Sequence, residues 1–375
     1  MGSVNFAASG RLAQWESTVF TRQGSLVRTQ HRPPVIPSSR PACVWPDVAF
    51  PCAWRSPILG EAGKRGKRMF FFPYRADINL YKIPLLTILI SLLCIGVYIA
   101  QYSNEVEVRE KAVAFCEHPF TPAFTEILIK HSGQARVNDC LDTLLEIHLS
   151  QDRGTLIKKL ADSIGATPGV VHADLSEYYA EALDETYREF SRSVPALLTA
   201  ELWYPPHSWS VDRMLTATVA HGSWLHLIGN LFFFFAFAAT VEIIVGIVLY
   251  LGVFVILALG THVVYSLATI IQVDPLPTVG LSGVIMGMVA LFTFFIPTAK
   301  IRCFLWLFVF FRRLSIPAWL LAVWYIGWDV YSQVSGDSNA GINLVAHLSG
   351  AAIGLTLGML LFREKRHWAR GLLRT

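Results

Sequence analysis

Residues 221–245 read HGSWLHLIGNLFFFFAFAATVEIIV, with Glu242 the only charged residue among them. A helix needs about 20 largely apolar residues to cross the hydrocarbon core of a bilayer. The stretch is therefore a membrane span, because a helix on a soluble core would carry a polar face at helical spacing. Apolar blocks of similar length occupy 83–101, 247–271, 278–297, 316–333 and 341–362, so the reading is six spans. Whole-chain composition agrees: of 375 residues, 53% are hydrophobic and 15% charged, with mean hydropathy +0.46, against roughly 25% charged in an ordinary soluble domain. A soluble globular enzyme is excluded. The net charge of +4 is too small to suggest a nucleic-acid partner, and the six cysteines contain no C-x-x-C pair, so neither a zinc ribbon nor a dithiol redox motif is expected.

Charge along the chain orients the spans. Lys64, Arg65, Lys67, Arg68, Arg75 and Lys82 precede the first span, and basic flanks stay in the cytoplasm. Six crossings then put the connection with Lys300, Arg302, Arg312 and Arg313 inside, together with the tail, 363–375, bearing Arg363, Lys365, Arg366, Arg370 and Arg374. The apolar piece 303–311 is too short to span and is expected at the inner interface. Between the first two spans, residues 104–220 carry eighteen Asp or Glu against ten Lys or Arg. Most of this stretch, 104–210, reads as one acidic, helical, external insertion. Residues 1–68 hold ten Arg or Lys against three acids with no apolar run, and are expected to be a disordered basic leader. They read either as an organelle transit peptide or as dispensable sequence before a start at Met69, the reading preferred. Residues 69–103 are then the cytoplasmic flank and first span.

Polar groups inside a span are costly and need a reason. His226 and Asn230 stand in H-L-I-G-N, an i, i+4 pair on one helix face. Ser282 stands in G-L-S-G at the start of the fourth span, and His347 in A-H-L-S-G near the start of the sixth. The second, fourth and sixth spans all run from outside to inside, so the four groups share one depth in the outer half of the membrane. Gly283 and Gly287 form a G-x-x-x-G, and Ala346, Gly350 and Gly354 a second small-residue stripe; such stripes let helix backbones approach closely. A Ser hydroxyl and a His imidazole within reach make a nucleophile and its base, and the Ser282 amide at a helix N-terminus favours negative charge. His226 and Asn230 can complete an oxyanion site. Taken singly, each residue has an ordinary structural explanation, and the joint pattern is what points to catalysis. His221 and His262 have no comparable partner and read as structural or interfacial.

With these motifs in order on the second, fourth and sixth spans, the chain resembles a rhomboid intramembrane serine protease over 211–362. The resemblance implies an all-α polytopic six-helix bundle, a Ser282–His347 dyad, and an oxyanion site from His226, Asn230 and Ser282. It also implies structural roles for Gly280, Gly283, Gly287, Gly350, Gly354, Arg213 and Glu242. No metal or other cofactor is implied. Asp212-Arg213 stands where the family often has Trp-Arg, and the insertion is longer than the first loop of compact bacterial relatives. Cys116 and Cys140 are its only cysteines, and pairing is expected if the outside is oxidising.

The mechanism implied is attack of Ser282 on a peptide carbonyl, with His347 as base and an acyl-enzyme intermediate. Asp329, near the same depth, is expected to bond loop groups rather than to orient His347. Trp319, Trp324 and Trp328, with Gly327, read as a mobile gate or as interfacial anchors. The implied partners are a single-pass transmembrane substrate and membrane lipid, with no nucleic acid and an open oligomeric state. The expected location is a bacterial inner membrane, N-terminus cytoplasmic. One rival is an inactive rhomboid-like protein that binds transmembrane helices. A transporter is disfavoured because the polar groups stop at one depth and no inverted repeat is apparent. An intramembrane metalloprotease would want H-E-x-x-H, which is absent.

Overall fold

The structure, a computed structural model, describes residues 69–78, 82–150, 152–167, 170–171, 173–272, 275–307, 310–335 and 343–371. The expectations for the leader 1–68, and for residues 341–342 of the sixth span, lie outside these. In chain order the elements are β1 (Met69–Ala76), α1 (Leu85–Cys116), α2 (Pro122–Ser132), α3 (Val137–Leu149), α4 (Arg153–Gly165), β2 (Ala166–Thr167), β3 (Val170–Val171), α5 (Ala173–Ser193) and α6 (Leu198–Leu202). There follow α7 (Val211–Val219), α8 (Trp224–Val245), α9 (Ile247–Ala268), α10 (Ser282–Phe295), β4 (Lys300–Leu307), β5 (Phe310–Pro317), α11 (Ala318–Ser335), α12 (Leu344–Leu361) and α13 (Lys365–Gly371). The chain divides into two compact units, 96–202 and the remainder, with the boundary inside α1.

The unit 96–202 is helical and has its own core. Phe124, Ile127 and Leu128 from α2, Leu144 and Ile147 from α3, and Leu183 and Phe190 from α5 are buried together. A disulfide joins Cys116 to Cys140, tying the end of α1 to α3. Asn104 holds the two ends of the insertion together: its Nδ2 donates to Ala196 O at 3.1 Å, and its Oδ1 accepts from Leu198 N at 2.6 Å. Two neutral partners fix the His148 tautomer, with Nε2–H donating to Pro195 O at 3.1 Å and the Tyr187 hydroxyl donating to Nδ1 at 3.3 Å. Burial, with a smaller push from Arg153, holds the His148 imidazole below its ordinary pKa.

Among the described residues four helices are long and apolar enough to cross a membrane: α1, which runs through the boundary between the units, and α8, α9 and α12 of the other unit. The protein is a polytopic, mostly helical membrane protein. The expected fourth span is a shorter helix, since α10 begins only at Ser282. The fifth, α11, has 18 residues but falls outside those four. Helix ends follow local chemistry. Ser223 Oγ accepts the His226 amide at 3.1 Å and opens α8, and Gly246 at φ 88° closes it. Asn343 Oδ1 accepts the Ala346 amide at 2.9 Å and opens α12.

The all-helical expectation missed a three-stranded antiparallel sheet in the order β1-β4-β5. The piece 303–311, expected at the inner interface, runs through β4 and β5, and Met69 to Ala76 pairs with Leu307 to Ile301. Residues 300–304 alternate exposed Lys300, Arg302 and Phe304 with buried Ile301 and Cys303, the period of a half-buried strand. Strand β5 continues through Ile316 and Pro317, so the fifth helix starts two residues later than the expected span.

Glu242 anchors the start of α1. Its Oε1 accepts from Leu86 N at 2.9 Å, and its Oε2 from both Thr87 N and Thr87 Oγ1 at 2.7 Å. First-turn N–H groups lack helical acceptors and attract negative charge, which makes a 5%-exposed carboxylate tolerable at this place.

Candidate active site

The close approach of α10 and α12 organises the site. A Cβ added to Gly350 would fall 2.0 Å from Gly283 O, one added to Gly354 would fall 2.1 Å from Gly287 O, and one added to Gly283 would fall 3.2 Å from Ala346 O. The two small-residue stripes thus lie backbone against backbone. Ser282 precedes Gly283, and His347 follows Ala346, so both stand at the crossing. Leu257 and Thr261 of α9 pack over Gly287 and Gly283.

The loop before Ser282 is held from three sides. Thr278 exchanges backbone hydrogen bonds with Tyr204 at 2.9 and 3.0 Å, Gly280 N donates to Ala217 O at 2.8 Å, and Asn343 Nδ2 donates to Thr278 Oγ1 at 3.1 Å. Asn343 therefore caps the helix of His347 and also holds the approach to Ser282. Its only sequence signal was an Asn three residues before Ala346, a helix-start residue. Gly280 adopts φ 122°, where side chains are strained. A Cβ there would also sit 2.6 Å from His226 Cε1, 2.8 Å from His226 Nε2 and 3.5 Å from Asn230 Nδ2. His226 and Asn230 thus face the turn that delivers Ser282, as their i, i+4 spacing on α8 requires.

The polar groups differ in how they are satisfied. Asn230 is 9% exposed, and its Nδ2 is buried without a hydrogen-bond partner among the described residues. The His226 ring packs edge-on against that of His221, centroids 5.2 Å apart, and lies within Coulombic range of His347. His221, expected to be structural or interfacial and without a comparable partner, packs on the His226 ring. Ser282 is half-buried and, among the described residues, makes no side-chain hydrogen bond. His347 Nδ1 donates to Asp329 Oδ2 at 2.9 Å. This corrects the expectation that Asp329 would bond loop groups: α11 turns its carboxylate onto the imidazole.

Other expected residues lie away from this cluster. Arg213 N donates to Ser210 Oγ at 3.4 Å at the start of α7, and Glu242 holds α1 as described above. His262 bonds Ala258 O through Nδ1 at 2.6 Å and packs edge-on against Tyr204. On the surface of α11, Leu320, Val323, Trp324, Gly327 and Trp328 line a groove of 260 Å³. Trp319 and Trp324 are exposed on that helix, and Trp328 packs against Tyr331 with centroids 5.3 Å apart.

The arrangement offers a hydroxyl at a helix N-terminus, an imidazole held at Nδ1 by Asp329, and a buried amide donor that has no acceptor among the described residues. Such a set can transfer an acyl group. No curated protein and no solved structure matches the chain. Residues 208–364 match the family model described as Rhomboid domain; the match takes in α7 through α12. The chain is an integral multi-pass membrane protein in which residues 208–364 are similar to a rhomboid domain.

Proposed function

We propose that the chain is an intramembrane serine endopeptidase that cleaves single-span membrane proteins in or near their transmembrane segment. The observation that carries this reading is the Asn230 amide, buried without an acceptor beside Gly280. A buried donor left unsatisfied costs about 1–3 kcal/mol. That cost has a use if an acceptor arrives with the substrate, as the oxyanion of a tetrahedral intermediate does.

In the mechanism, Ser282 Oγ attacks the scissile carbonyl while His347 Nε2 takes its proton. The developing oxyanion is met by the Ser282 amide, Asn230 Nδ2 and His226. The C–N bond breaks as His347 returns the proton to the leaving amine, and water then hydrolyses the acyl-enzyme with His347 again as base. The Ser–His hydrogen bond forms as substrate binds, in keeping with catalytic contacts that tighten in the Michaelis complex. No cofactor takes part.

The substrate helix enters past the groove on α11 and is extended near its outer end, so that its backbone reaches Ser282. The operating arrangement is a leader 1–68, a cytoplasmic flank and first span 69–103, an external insertion 104–210, a catalytic core 211–362 and a cytoplasmic tail 363–375. The membrane is a bacterial inner membrane, with the N-terminus inside. The test is cleavage of a model single-span substrate by purified protein in detergent. Wild type should cleave, and Ser282→Ala and His347→Ala should not. Equal inactivity of all three on several substrates would favour an inactive helix-binding protein instead.

A further inference from the structure

Asp329 lies on α11 with 8% of its surface exposed. A buried carboxylate is costly unless a partner compensates it. The partner is His347: Oδ2 accepts the Nδ1 proton at 2.9 Å, and the two side chains are 17% and 11% exposed. For contrast, the Lys111–Glu107 pair on α1 is 48% and 53% exposed. The other ring in range of His347 is His226 on α8, and the groups of α10 and α12 at the crossing are backbone and small side chains.

We propose that Asp329 is a positioning residue for His347, extending the dyad to an Asp-His-Ser relay of contacts. This inference rests on the serine protease reading and deepens it. The carboxylate does two things. It selects the tautomer with the proton on Nδ1, which leaves the Nε2 lone pair available to Ser282. It also fixes the ring about its χ angles and stands beside the imidazolium that forms when the Ser282 proton arrives. The proton balance is that of the dyad: Ser282 Oγ loses its proton to Nε2 as the Oγ–C bond forms, and Nε2 yields it to the amine as the C–N bond breaks. Asp329 accepts the Nδ1–H hydrogen bond throughout and takes no proton.

A purely structural role, tying α11 to α12, predicts lost stability but no change in tautomer. The experiment uses the full chain in detergent micelles, as wild type, Asp329→Asn, Asp329→Glu and Ser282→Ala. It measures steady-state cleavage of a model single-span substrate and the ¹⁵N spectrum of labelled histidine. The expected result for Asp329→Asn is a kcat about 10²-fold lower or worse, with KM unchanged. Its His347 nitrogen signals should move from the Nδ1–H tautomer to a mixture, and Asp329→Glu should recover part of the rate. An unchanged kcat, or an unchanged tautomer in Asp329→Asn, overturns the positioning role while leaving the protease reading intact. Wild type cleaving no faster than Ser282→Ala overturns the protease reading, and the positioning role with it.

Discussion

Gly350→Ala puts one methyl group where the helices that carry Ser282 and His347 touch. The added Cβ would fall 2.0 Å from Gly283 O and 2.9 Å from Gly283 C. Both are backbone atoms, so no rotamer change can relieve the clash. Ordinary contact begins near 3.4 Å, so α12 must move away from α10 by roughly 1.4 Å to restore van der Waals separation. Overpacking of this kind costs about 1–3 kcal/mol. The displacement falls one turn from His347 and beside Ser282, and a misplacement of about 1 Å between reacting groups lowers a rate by about 10²-fold. The assay pairs initial cleavage rates in detergent with unfolding in mixed micelles of increasing SDS content. The control is Gly252→Ala on α9, where an added Cβ meets nothing within 4 Å; removing glycine's excess freedom there should stabilise by about 0.5–1 kcal/mol and leave the rate unchanged. A Gly350→Ala protein as stable and as fast as wild type would refute the backbone-to-backbone crossing.

Further predictions address the supports of the fold. Glu242→Gln replaces one acceptor of the α1 amides with an NH₂ group, and should lower stability in detergent by about 1–3 kcal/mol; an unaltered unfolding midpoint would count against the anchor. Breaking the Cys116–Cys140 bridge, which closes a separation of 24 residues, should cost the insertion about 3 kcal/mol, read as faster amide exchange in α2 and α3. Free alkylation of both thiols in the native, non-reduced protein would dispose of the bridge. Because burial lowers the His148 pKa, the unfolded insertion binds the extra proton first as pH falls below about 6.5. Stability of α3 should therefore decline from there down to the folded value and stay flat above it, while His148→Gln should remove most of that slope.

Much of the site was legible because it rests on short-range periodicity. His226 and Asn230 share a helix face by spacing alone, and both meet Gly280. The stripes of Gly283 with Gly287, and of Ala346 with Gly350 and Gly354, could be read as packing surfaces, since two helices approach this closely only where side chains are missing. The sheet was not legible for the opposite reason. Met69 finds its partner in Leu307, far along the chain, and the alternation of residues 300–304 overlaps the piece 303–311, which was read by its apolarity, at two residues. Asp329 escaped because the rotation of α11 about its axis decides which neighbour the carboxylate meets. Apolar residues lie all around that helix, from exposed Trp319 and Val323 to buried Leu321 and Ala322, so periodicity did not fix the rotation. The late start of α10 depends on the positive φ of Gly280, which a Gly-Leu-Ser-Gly string permits without requiring.

The central claim is that Ser282 is a nucleophile activated by His347. Its most direct test is labelling of the purified protein in detergent with a serine-reactive fluorophosphonate, with the adduct located by mass spectrometry. The account predicts one adduct, on Ser282, strongly reduced in His347→Ala and absent in Ser282→Ala. No adduct on Ser282, or equal labelling of wild type and His347→Ala, would contradict it.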